Sequence, residues 1–122
     1  MDKGILIIED ETIIALDIAR KIKQFGYPVS GIAADEPEAI SLAEKDHPAL
    51  ALVDIKLKNG SDGIEVARKL KEQFSIPIIF ITAYSDNRVR ERAMKLQPVG
   101  FLLKPINRVE FETIIKTVMA VL

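Results

Sequence analysis

The chain has 122 residues, 17 of them basic and 18 acidic, is 48% apolar and 29% charged, and contains no cysteine. That length suits one domain, here residues 1–122, able to bury about two-thirds of its unfolded surface without a disulfide, metal or partner. Balanced charge argues against a nucleic-acid or membrane surface, and the lack of cysteine excludes thiol catalysis and thiolate zinc sites. With no signal peptide and no apolar run of about 18 residues, the expected location is the cytoplasm.

Residues 5–8, "ILII", read as a strand buried on both faces. Three acids follow at once, Glu9, Asp10 and Glu11, and adjacent carboxylates repel by roughly 1 to 4 kcal/mol at about 4 Å. The next segment carries Ile14, Ile18, Ile22 and Phe25 at helical steps and stops at "GYP". A second strand, "VSGIAA" at 29–34, holds Ser30 and Gly31 and so suits a sheet edge. A helix then opens on "DEPE", with Asp35 and Glu38 spaced as a capping box and Pro37 in the first turn.

The third strand, "ALALV" at 49–53, has no polar residue and suits the sheet centre. Asp62 and Glu65 predict a second capping box before "IEVARKLKEQF". The fourth strand is "IIFI" at 78–81. The helix after it, 86–96, is short and charged, anchored by Val89, Ala93 and Leu96 alone. "VGFLL" at 99–103 is the fifth strand, and Asn107 with Glu110 predicts a third capping box before "FETIIKTVMAVL".

Five strands alternating with five helices imply an α/β fold: a (βα)5 doubly wound parallel sheet, with right-handed crossovers covering both faces. Strand order 2-1-3-4-5 satisfies the edge and centre assignments and puts any site at the carboxyl ends of the strands. Those ends carry Glu9 and Asp10, Asp54, Thr82 and Lys104. An oxygen-rich cluster without cysteine or histidine suits a hard divalent cation, magnesium or alternatively manganese, whose binding relieves the repulsion of Asp10 and Asp54. Glu11 is better read as a helix-start acid at the positive end of the dipole. Asp54 alone would be an ordinary turn residue. In this company it is a candidate nucleophile towards phosphorus, as in ATPases that form an aspartyl phosphate.

The set "IIEDE", "LVDIKL", "FITAY" and "FLLKPI", in this order at strand ends, resembles the receiver domain of two-component response regulators, which share the flavodoxin-like fold. The resemblance covers nearly the whole chain. It implies that Asp54 is the phosphoacceptor, and that Asp10, Asp54 and the main-chain carbonyl of Lys56 ligate Mg2+ with Glu9 acting through bound water. It further implies that Lys104 contacts the phosphoryl group, that Thr82 swings its hydroxyl onto it, that Phe101 is the switch aromatic, and that the Lys104–Pro105 peptide is cis. Two departures stand out. "DIKLKNGSDG" lacks the family's usual proline and reaches Gly63 one residue late, a "DIxLxxGxDGIE" form. The switch position holds a phenylalanine without the commoner tyrosine hydroxyl.

The implied function is a phosphorylation-dependent signalling module: a histidine kinase or histidine phosphotransfer protein donates to Asp54, and the chain itself catalyses the transfer and the later hydrolysis. Arg88, Arg92 and Lys95 share one face of the 86–96 helix. The expected surface for a downstream protein, or for the chain's own dimer, is the 86–122 face. A flavin binder of similar sheet would need a phosphate-cradling loop where "EDE" stands. An aspartate-nucleophile phosphatase would want a general acid where Lys56 stands. The remaining alternative is a pseudo-receiver, an interaction module without the chemistry, expected to have lost Asp10, Asp54 or Lys104. His47, the lone histidine, sits in a turn and is read as neither phosphodonor nor ligand.

Overall fold

The computed structural model describes residues 4–83 and 86–122. Tyr84, the last residue of "FITAY", lies outside the described residues. Elements alternate along the chain: β1 (Ile5–Ile8), α1 (Thr12–Gln24), β2 (Val29–Ala33), α2 (Glu36–Asp46), β3 (Leu50–Asp54), α3 (Gly63–Phe74), β4 (Ile78–Thr82), α4 (Asn87–Met94), β5 (Gly100–Leu103) and α5 (Arg108–Val121). The strands form one parallel sheet in the order β2-β1-β3-β4-β5. All-apolar "ALALV" does lie at the centre, and the Ser30–Gly31 strand at an edge.

Strand alternation divides the core in two. Leu6, Ile8, Ala51, Val53 and Phe80 point to the face covered by α2 and α3, where they meet Ala39, Ala43, Val66, Ala67 and Leu70. Ile5, Ile7, Leu52, Ile79 and Ile81 point to the other face and pack on Ile18 and Ile22 of α1 and Phe111 and Ile115 of α5. Because both faces are covered, β3 and β4 are buried at every residue.

Helix starts show how the local chemistry was resolved. Asp35 accepts from the Glu38 N–H at 3.0 Å, but the Glu38 carboxylate takes the Ala34 N–H, one residue before the cap. Asp62 caps α3 by accepting from the Ile64 N–H at 3.0 Å. Its predicted box partner, Glu65, is instead paired with Arg68 one turn on, because a guanidinium at i+3 offers a charge-assisted bond. Asn107 accepts from the Glu110 N–H at 3.0 Å. Asp86, which the periodicity did not single out, caps α4 through the Arg88 and Val89 N–H groups at 2.8 and 3.2 Å. The helix itself is shorter than the expected 86–96. Ala93 is its one buried residue, with Val89 and Leu96 packed partly against the core.

Candidate functional site

The parallel sheet delivers the carboxyl ends of β1, β3, β4 and β5 to one edge. Lys104 follows β5, and its N–H donates to the Thr82 carbonyl at 2.8 Å, which fixes where the side chain leaves the sheet. From there its Nζ donates to Glu9 Oε1 at 2.8 Å and to Asp54 Oδ2 at 2.9 Å. All three are deeply set: Glu9 is 3% exposed and Asp54 6%, and the Lys104 side chain 18%. Thr82, 1% exposed, completes the floor at the end of β4. The Lys104–Pro105 peptide is cis.

Electrostatics follow from that burial. Loss of water pushes the Glu9 carboxyl above its usual range; the Lys104 hydrogen bond pulls it back, and the Asp54 charge adds to the rise. Burial alone would push the Lys104 ammonium down, but its hydrogen bonds to Glu9 and Asp54, with their charges, outweigh it and hold the group above the ordinary lysine value. Lys104 is thus firmly cationic between two carboxylates.

Asp10 and the rest of Asp54 complete the set. Asp54 Oδ1 accepts from the Lys56 N–H at 3.2 Å. Asp10 Oδ2 accepts from the Asn59 N–H at 2.9 Å, whereas its Oδ1 is buried with no hydrogen-bond partner among the described residues. A buried, orphaned carboxylate oxygen is costly unless something cationic or protic meets it. No three metal-ligating side chains converge among the described residues. Mg2+ characteristically needs only one or two carboxylates with carbonyl and water oxygens. Asp10 with its spare oxygen, Asp54 and the Lys56 carbonyl therefore fit that ion.

The loop after β3 returns tightly to the sheet edge. Gly63 starts α3 so close to β3 that a Cβ there would lie 2.0 Å from the Asp54 carbonyl oxygen. Lys56 and Asp62 pair across the loop as an antiparallel bridge. At the far side Phe101 is half-buried beside Phe80, ring centroids 6.4 Å apart, with the Arg90 guanidinium 4.9 Å above its ring.

The sequence model of the response regulator receiver domain matches residues 5–116. The chain belongs to that family. It is 36% identical over 105 residues to the transcriptional regulatory protein PdtaR of Mycobacterium tuberculosis, covering 86% of this chain and 51% of that one. It is 35% identical over 116 residues to the phyllosphere-induced regulator PhyR of Methylorubrum extorquens, covering 94% and 43%. This receiver therefore spans about half the length of the curated relatives it matches. Among solved structures it is similar to the signal receiver domain of a modulated diguanylate cyclase from Desulfovibrio desulfuricans, with TM-score 0.88, 33% identity and coverage of 98% and 95%. It is also similar to a CheY-like receiver domain protein from Methanospirillum hungatei, with TM-score 0.89, 27% identity and coverage of 98% and 95%.

Every residue expected at the receiver's site is at this edge or, for Phe101, in the strand beside it. Sequence reading missed three participants. Asn59 acts on Asp10 through main chain, and the only trace in the sequence was the turn-forming "NG" pair, realised at Gly60 with φ +91°. Lys58 pairs with Glu11, so Glu11 caps α1 by position while its carboxylate serves the loop. Arg90, not Arg88 or Arg92, lies over the Phe101 ring, and Arg92 is drawn to Asp62 at 2.7 Å. Among the described residues, no helix is long and apolar enough to cross a membrane. His47 ends α2 in the left-handed region, exposed and away from the site.

Proposed function

We propose that this receiver accepts a phosphoryl group on Asp54 from the phosphohistidine of a histidine kinase or phosphotransfer protein, and that the aspartyl phosphate alters its partner-binding surface. The observation that carries the reading is the buried Asp54 carboxylate, held by Lys104 at 2.9 Å on the sheet edge where the strand before Asp10, with its orphaned oxygen, also ends. Fixing a carboxylate and an ammonium together in a dry pocket serves a reaction in which negative charge moves onto phosphoryl oxygens.

An Asp54 oxygen attacks phosphorus in line. The P–O bond forms as the P–N bond to the donor imidazole breaks, and the ring leaves with the bonding pair and takes up a proton. Lys104 then exchanges part of its bond to Asp54 for the new phosphoryl oxygens, while Glu9 keeps the ammonium in place. Asp10, Asp54 and the Lys56 carbonyl would hold Mg2+, with Glu9 reaching it through water. When bound, that ion supplies positive charge against the transferring oxygens. Water later attacks the acyl phosphate, returning the Asp54 carboxylate and inorganic phosphate.

The donor has an approach beside Lys104. A groove of about 650 Å3 runs between α1 and the β5–α5 turn, lined by Ile13, Ile14, Lys104 and Ile106, with Ile13 84% exposed. For output, the added charge, roughly two units, draws the Thr82 hydroxyl inward, and the half-buried Phe101 ring, already packed on Phe80, buries further in response. Met94 on α4, Val99 just before β5, Leu103 on β5 and Val109 on α5 are exposed apolar positions, which suits a downstream protein or a second copy on the 86–122 face. The names of PdtaR and PhyR, both regulators, agree with a signalling role.

Incubation with acetyl phosphate followed by intact-mass measurement tests the reading. A single phosphoryl adduct that needs Mg2+ and vanishes in Asp54→Asn is expected. An adduct that survives the substitution overturns the assignment of Asp54. Failure of both acetyl phosphate and a fluoroberyllate mimic to bind favours the pseudo-receiver alternative.

A further inference from the structure

Among the five helices α4 has the least apolar hold on the sheet. It buries one residue, Ala93, and Val89 and Leu96 reach the core only in part. Charged contacts add to that hold. Arg90 lies over the Phe101 ring of β5, Lys71 of α3 donates to the Leu96 carbonyl just past the end of α4, and Arg92 crosses to Asp62 Oδ2 at 2.7 Å. Between α4 and the loop after β3 a cavity of about 300 Å3 remains, lined by Ile55, Leu57, Ser61, Val89 and Arg92. Arg92 and Asp62 thus span a gap that apolar packing leaves open.

Asp62 faces the site as well as α4. Its Oδ1 caps α3 through the Ile64 N–H at 3.0 Å, its Oδ2 takes Arg92, and its main chain is bridged to Lys56. The Lys56 N–H in turn donates to Asp54 Oδ1 at 3.2 Å, and the Lys56 carbonyl is one of the proposed Mg2+ ligands. A phosphoryl group on Asp54 changes the partner of that N–H, and an ion that of the carbonyl, so both act on the main chain to which Asp62 is bridged. The side chains of Arg92 and Asp62 are 53% and 43% exposed, and a solvent-screened pair is weak enough to open. We propose that Asp62–Arg92 is a latch made only in the unphosphorylated chain: it holds α4 to the loop that carries Lys56, and its opening on phosphorylation frees α4 by a route separate from Thr82 and Phe101.

The latch rests on the phosphoacceptor reading of Asp54, and one experiment separates the two. Wild type, Arg92→Gln, Asp62→Asn and the double variant are titrated with fluoroberyllate in Mg2+ by calorimetry. Asparagine still caps α3 but removes the charge that Arg92 meets. A contact made only without ligand opposes ligand binding, so its loss should tighten fluoroberyllate by about 1.5- to 5-fold, the range an exposed ion pair allows. The double variant should match the singles, because all three lose the same contact, and Arg92→Lys should return towards wild type. Amide exchange over residues 87–94 should be faster in Arg92→Gln than in wild type without fluoroberyllate, and equal with it. Unchanged or weakened affinity in either single variant, additive effects in the double one, or an exchange difference that persists with fluoroberyllate each overturns the latch and leaves the phosphoacceptor reading standing. Wild type that binds no fluoroberyllate overturns that reading and the latch with it.

Discussion

Replacing Lys104 by Met would leave Glu9 and Asp54 facing each other with no ammonium between them. The side chains concerned are 18%, 2% and 8% exposed for Lys104, Glu9 and Asp54, so solvent screens little of the loss. Each contact, at 2.8 and 2.9 Å, corresponds to roughly 6 kcal/mol of Coulomb energy at an effective dielectric of about 20. Desolvation of the ammonium offsets much of this, and removing one partner of a buried pair costs about 3–5 kcal/mol. Because Lys104 keeps some contact with water, the lower end applies, about 3 kcal/mol. For a chain of this length that is a fall in Tm of roughly 9–15 °C.

The pH dependence identifies the cause. Burial raises the folded pKa of Glu9, so its ionisation costs stability as pH climbs through that raised value, and in wild type Lys104 offsets the cost. The gap between wild type and Lys104→Met should therefore be widest near neutrality and shrink as pH falls into the carboxyl range, where Glu9 is neutral. The Lys104 pKa is also raised; its contribution is complete below the ordinary lysine value, about 10.4, and fades as pH rises through the folded value, so the gap narrows again there. Thermal melts of both proteins at about pH 4.5, 7 and 11.5 measure this. A gap that stays constant across the series, or none at pH 7, refutes the reasoning.

Gly63→Ala should destabilise by about 3 kcal/mol or more, because the new Cβ meets main chain that cannot yield; a urea midpoint equal to wild type would contradict the close approach. Asp86→Ala removes a cap that holds two N–H groups of α4 and should cost about 1 kcal/mol, with faster amide exchange confined to residues 87–94. Lys21 and, to a lesser extent, Arg20 keep the Asp17 carboxyl below its usual range. Its contribution is therefore present above the ordinary aspartate value, about 3.9, and lost as pH falls through the folded value. Asp17→Asn should melt about 1–2 °C lower at pH 7, in keeping with a solvent-screened pair, and match wild type near pH 2.

Strand order could be read because composition separated edge from centre: Ser30 and Gly31 mark β2, and the unbroken apolar run at 49–53 marks β3. The site was legible for the same reason, since a parallel sheet carries Glu9, Asp10, Asp54, Thr82 and Lys104 to one edge whatever the details of packing. What escaped was choice among equals. Glu65 faced both a backbone N–H and the Arg68 guanidinium, and spacing alone does not rank them. Asn59 acts on Asp10 by main chain, which any residue but proline could supply. Lys104 had three carboxylates within the cluster, and the sheet register, absent from any local pattern, decides that Glu9 and Asp54 take it.

Chemical trapping tests the central claim most directly. Protein loaded with acetyl phosphate in Mg2+ is reduced with borohydride, which converts an acyl phosphate to the corresponding alcohol, and is then digested and sequenced by tandem mass spectrometry. Homoserine in place of Asp54, and at no other acid, is the predicted result. Reduction at Glu9 or Asp10, or an acyl phosphate that leaves Asp54 unmodified, would contradict it.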